Sequence, residues 1–141
     1  MPDRIIRRLN GPRGSVLVAC ALADVAVAIS CLPPGTTSVA VPQGVAALAQ
    51  VVPLWIWAVL WLVAALCSAI GAARRRDGSV RRGWDTAGYA ATAGMCGGWF
   101  VLYCTGWVTD PDPSRQWLLA ALFLGLTGVV INAARMRNPI A

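Results

Sequence analysis

One carboxylate stands where carboxylates are costly. Asp24 lies near the middle of an apolar run at about 15–32. A charged Asp at the centre of a membrane-crossing helix costs about 2.5–3.5 kcal/mol on insertion scales, so it must face a partner, face water, or hold a proton. Its helical neighbours at three and four residues are Cys20, Ala21, Val27 and Ala28, a small-residue face suited to close helix contact. No Arg falls within an apolar run to pair with it; Trp61 and Thr127 are the hydrogen-bond partners that similar depth offers. Two roles follow: a proton- or ligand-linked carboxylate, or a hydrogen-bonded residue of helix packing.

Other chemistry is thin. The chain contains no His, so a nucleophile–His–acid set cannot be built and a Cys nucleophile would lack its usual base. The five cysteines (Cys20, Cys31, Cys67, Cys96 and Cys104) form no CxxC pair and lie inside or at the ends of apolar runs, as small buried hydrophobes do. No phosphate-binding loop and no ligand cluster for a metal is present. Neither enzymatic activity nor a metal or other cofactor is expected.

The elements that must position Asp24 are membrane spans. Hydrophobic residues make up 57% of the 141 and charged residues 13%, against about a quarter charged in a soluble domain. The apolar residues come in four blocks, predicting an all-α membrane protein: a four-helix transmembrane domain over 15–134, with spans at about 15–32, 52–73, 86–108 and 116–134. A basic head at 1–14 precedes it, and 3–9 has the spacing of a short amphipathic helix on the membrane surface. A basic tail, 135–141, follows. Residues 36–50 read as a loop with an interfacial helical turn, or else as an extension of the second span with Pro53 as a kink. The first run resembles a cleaved signal segment, but the stretch from Arg13 to Cys20 is too short and Asp24 interrupts the longer one; a retained span is expected.

Arginine sets the orientation. Four Arg lie in the head, five in the middle loop (Arg74, Arg75, Arg76, Arg81 and Arg82) and two in the tail, whereas the opposite loops hold only Arg115. Eleven against one is a positive-inside pattern with both termini cytoplasmic. The net charge of +6 is therefore a topology signal, and no nucleic acid partner is expected. Trp55, Trp57 and Trp61 fall in the outer half of the second span, and Trp84, Trp107 and Trp117 at span ends, where indoles favour the interface. Trp99 and Tyr103 lie deeper, as core packing or as the wall of an organic-cation site.

Ala90, Gly94 and Gly98 recur every four residues along the third span. Such a ridge lets helix backbones approach closely, within one subunit in the first instance and between subunits in the second. Ala65, Ala69 and Ala73, and Ala121 with Gly125, repeat the pattern on a smaller scale.

The whole-chain pattern of four apolar blocks, Arg-rich head and tail, and a bias that excludes Lys and Glu, as GC-rich coding produces, resembles the small four-span holin-like lysis proteins of actinobacteriophages. That resemblance implies accumulation in the bacterial inner membrane, assembly as a homo-oligomer along the Ala90–Gly94–Gly98 ridge, and permeabilisation or depolarisation of the bilayer during lysis. Ala21-Leu22-Ala23-Asp24-Val25 and Gly128-Val129-Val130-Ile131-Asn132 are similar to the corresponding spans of small multidrug resistance transporters, which implies proton exchange at Asp24, although that family uses Glu. A non-transporting membrane partner, such as a superinfection-exclusion protein whose basic middle loop binds a second membrane protein or acidic lipid, is the third class.

Overall fold

The computed structural model describes residues 11–32, 43–73, 82–109 and 115–136. Among these the chain is almost wholly helical, with no strand, in five helices: α1 (Gly11–Ser30), α2 (Gln43–Val51), α3 (Leu54–Ala72), α4 (Arg82–Thr109) and α5 (Gln116–Arg135). The head at 1–10, residues 74–81 of the middle loop and the end of the tail lie outside the described residues, and with them the amphipathic reading of 3–9 and Arg74, Arg75, Arg76 and Arg81.

Proline sets several boundaries. Pro12 occupies the first turn of α1, where its missing N–H leaves no helical bond unmade. Pro53 takes an extended ψ of 137° and separates α2 from α3: the Val52 N–H donates to Leu48 O at 2.9 Å to finish one helix, and the Ile56 N–H donates to Pro53 O at 3.0 Å to open the next. The segment 43–51 is thus a helix of its own rather than an extension of the second span. Its Val45 is buried, and Gly44 sets its backbone against Leu102 O and Gly106 of α4. A side chain at Gly44 would collide with that carbonyl, so α2 seats on α4 only because the residue is glycine.

The four long helices pack in sequence, α1 on α3, α3 on α4 and α4 on α5. One end of the bundle gathers the starts of α1 and α4 and the ends of α3 and α5. Arg13 Nη2 pairs with Asp85 Oδ2 at 3.3 Å, Arg13 Nη1 donates to Met136 O at 3.4 Å, and Gly71 of α3 abuts the backbone of Trp84 and Asp85. Neighbouring helices therefore run in alternate directions.

Three helices are long and apolar enough to cross a membrane: Pro12–Ser30, Leu54–Ala72 and Gln116–Arg135, with mean hydropathies of 1.7, 2.1 and 2.0. Their outer faces carry large apolar side chains, among them Leu22, Ile29, Leu66, Leu122 and Val129, each more than half exposed. Apolar surface on that scale suits hydrocarbon, not water. The 28 residues of α4 would extend about 42 Å, but Gly, Thr, Trp and Tyr dilute its apolarity.

Candidate functional site: a polar layer around Asp24

The core consists of two apolar clusters. One is aromatic and centres on Trp61, Trp99, Tyr103 and Phe123, with Ala28, Ala58 and Cys96 filling between them. The other, toward the Arg13 end, joins Leu17, Cys20, Ala72, Tyr89, Val130 and Ala133. By register, one residue of each of three packed helices falls between the two clusters: Asp24 between Cys20 and Ala28 on α1, Ser68 between Trp61 and Ala72 on α3, and Thr92 between Tyr89 and Cys96 on α4. All three are buried, Asp24 and Ser68 completely.

These three side chains form a chain of hydrogen bonds. The Thr92 hydroxyl donates to Asp24 Oδ2 at 2.8 Å, and Ser68 Oγ lies 3.2 Å from Thr92 Oγ1. Because Thr92 gives its one hydrogen to the carboxylate, Ser68 is the donor of the second link. The carboxylate thus reaches α4 directly and α3 through a relay. Asp24 Oδ1 is buried with no hydrogen-bond partner among the described residues.

The partners expected for Asp24 are corrected here. Thr127 occupies the corresponding level of α5 but donates to Phe123 O of its own helix at 2.8 Å. Trp61 is buried in the aromatic cluster, stacked edge-on against Trp99 with centroids 5.6 Å apart, and its Nε1 has no partner among the described residues. Trp61 is therefore a core residue and not a member of an interfacial belt. Trp57 joins it by packing on Trp99 at 5.3 Å. Trp55, Trp84, Trp107 and Trp117 remain exposed, as belt residues would. Trp99 and Tyr103 are core: Tyr103 stacks on Phe123 with centroids 5.7 Å apart and planes 17° from parallel.

Thr92 and Ser68 are the members of the candidate site that sequence reasoning missed. Both are small hydroxyl residues, ordinary within apolar spans. The available signal was their register, since Thr92 lies at the depth that Asp24 reaches on a helix running in the same direction.

The ridge is placed elsewhere than intramolecular packing would require. Ala90, Gly94 and Gly98 are all exposed, and a Cβ built on Gly94 or Gly98 meets nothing within 4 Å. The close approach of α3 and α4 is made by Gly71 and Gly88 instead. A Cβ on Gly88 would lie 2.8 Å from Ser68 Cα, and one on Gly71 would lie 2.7 Å from Asp85 Cα. Ala65 of the α3 repeat is buried, but Ala69 and Ala73 are exposed, as are Ala121 and Gly125 on α5. Arg82 opens α4.

Compared with family models, with curated protein sequences and with solved structures, the chain matches none.

Proposed function

We propose that the chain is a four-span protein of the bacterial inner membrane, with both termini cytoplasmic, that assembles with copies of itself and permeabilises or depolarises the bilayer as holin-like lysis proteins do. The observation that carries this reading is the outward ridge. On α4, Thr86, Ala90, Gly94, Gly98, Val101 and Thr105 are exposed at helical spacing and lie opposite the buried face. In hydrocarbon such a face gains little from lipid and much from a second helix that can approach its backbone. A lytic protein must stay harmless as a monomer and act once assembled, and an uncovered ridge on a packed bundle suits that demand.

Two further features support the fourth span and the orientation. The helix α4 packs between α3 and α5, both apolar enough to cross a membrane. The helix ends next to the Arg-rich segments gather at one end of the bundle, as an N-in, C-in topology requires.

Controlled expression in a bacterial host tests the proposal. The expected result is collapse of membrane potential and loss of viability at a defined time after induction, both suppressed by Gly94→Leu with Gly98→Leu. Harmless expression of protein that reaches the membrane overturns it. A second reading, proton-coupled efflux of cationic compounds, is favoured by the unpartnered Oδ1 of Asp24. Harmless expression with resistance to cationic dyes, lost in Asp24→Asn, would establish it. Harmless expression with neither phenotype leaves the class of non-transporting membrane partners.

A further inference from the structure

Between α4 and α5, at the end of the bundle where α1 begins, the described residues form an open cavity of about 260 Å³. Its cause is local. Ala90, Ala93 and Ala134 are too short to fill the space between the two helices. The polar lining residues (Arg13, Thr86 and Arg135) lie nearest the helix ends. Ala93 and Ile131 lie a turn or more deeper by register, so the cavity has a cationic mouth and an apolar floor.

The mouth is built. Arg13 is held from three sides. Asp85 pairs with its Nη2, the Met136 carbonyl accepts from its Nη1, and its guanidinium lies 5.4 Å from the centroid of the Tyr89 ring. Tyr89 in turn donates its hydroxyl to Arg13 O at 2.9 Å. So fixed, Arg13 still has a buried Nε without a hydrogen-bond partner among the described residues. A buried N–H of a charged group left unpaired is costly. Asp85 balances the charge of Arg13, whereas Arg135 at the last turn of α5 makes no ion pair among the described residues. The mouth is therefore net positive.

We propose that this cavity binds the phosphodiester headgroup of an anionic phospholipid, with Arg135 on the phosphate, Arg13 at its edge and the first acyl methylenes against Ala93 and Ile131. Arginine presents forked donors matched to phosphate oxygens, and basic pockets between transmembrane helices take anionic headgroups. A soluble anion would use the mouth and leave the apolar floor unexplained. The inference needs only that the helices sit in a bilayer. It does not require lesion formation, and its test reads bound lipid, so either reading can fail without the other.

The full chain, purified in detergent and delipidated, is offered phosphatidylglycerol or phosphatidylcholine, and retained lipid is counted by native mass spectrometry. Phosphatidylglycerol is expected to be retained severalfold more than phosphatidylcholine. Arg135→Gln should remove that preference and Arg135→Lys should keep part of it. Ala93→Phe, which fills the floor without changing the charge, should remove retention while helicity by circular dichroism stays at the wild-type level. Equal retention of the two lipids overturns the proposal, as does a preference that survives both Arg135→Gln and Ala93→Phe. Full displacement of phosphatidylglycerol by inorganic phosphate also overturns it, because the site would then be one for a soluble anion.

Discussion

Asp24 is held at one oxygen and open at the other. Its Oδ2 accepts from Thr92, while Oδ1 is buried and unpartnered among the described residues. A structural carboxylate would be expected to have both oxygens satisfied, because an unmatched buried acceptor costs about 1–3 kcal/mol. The two roles can be separated experimentally. Asp24→Asn keeps an oxygen for Thr92 and the same volume, so it should insert and fold as wild type while altering membrane activity; wild-type behaviour in every assay would make the carboxylate structural only. The Asp24–Thr92 bond itself should appear in a double-mutant cycle of Asp24→Leu and Thr92→Val. Interhelical hydrogen bonds in membranes couple by about 0.6 kcal/mol and at most about 1.7, and unfolding in mixed micelles should return a coupling in that range. A coupling of zero would mean that the two side chains do not meet. The sequence exposed Asp24 because a charge in an apolar run stands out. Ser68 and Thr92 stayed hidden because a hydroxyl in such a run does not, and because one sequence cannot say which helix faces meet.

At the scale of the elements, glycine serves two purposes that spacing cannot tell apart. Gly88 lets α4 touch the backbone of Ser68, whereas Gly94 and Gly98 touch nothing in the chain. Substitution by Ala should therefore have opposite signs. In a helix interior, replacing Gly with Ala stabilises by roughly 0.5–1 kcal/mol where there is room, so Gly94→Ala should raise the stability of the single chain. At Gly88 the new methyl meets backbone that cannot rotate away. Overpacking of that kind costs about 1–3 kcal/mol, and the displaced residue is Ser68, which anchors the relay to Asp24. Gly88→Ala should thus lower stability, measured by reversible unfolding in mixed micelles. Equal effects at the two positions would contradict the packing of α3 on α4. Three apolar helices were readable from hydropathy, and Pro53 marked a boundary. The outward aim of the Ala90–Gly94–Gly98 ridge was not readable, since a recurrence every four residues defines a face but not what that face meets. The same gap hid the independence of α2, whose seat depends on Gly44 meeting Gly106 some sixty residues away in sequence.

At the scale of the whole molecule, arginine count and helix packing bear on orientation by separate routes. Arg13, Asp85 and Met136 join at one end of the bundle, and by sequence eleven of the twelve Arg belong to the head, the middle loop and the tail. The positive-inside bias is counted over short loops and acts on the whole set of charges. Replacing Arg74, Arg75 and Arg76 with Ala would leave eight against one, still strongly biased, so orientation should survive. A single cysteine placed at Ser114 should react with a membrane-impermeant maleimide in intact spheroplasts. One placed at Ser79 should react only after permeabilisation, both in the wild-type background and with the three Arg removed. The parent for both variants has its five native cysteines replaced by Ala, because Cys67 and Cys104 are only partly buried. Labelling of both positions from outside would mean that the chain inserts in two directions. Dual insertion would remove the basis for a single cytoplasmic face, set Arg135 and its cavity in either leaflet, and favour the transporter reading. One-sided labelling that persists without the three Arg would locate the orienting charge in the head, the tail and the remaining pair Arg81 and Arg82. The topology would then depend on the distributed charge rather than on a single cluster.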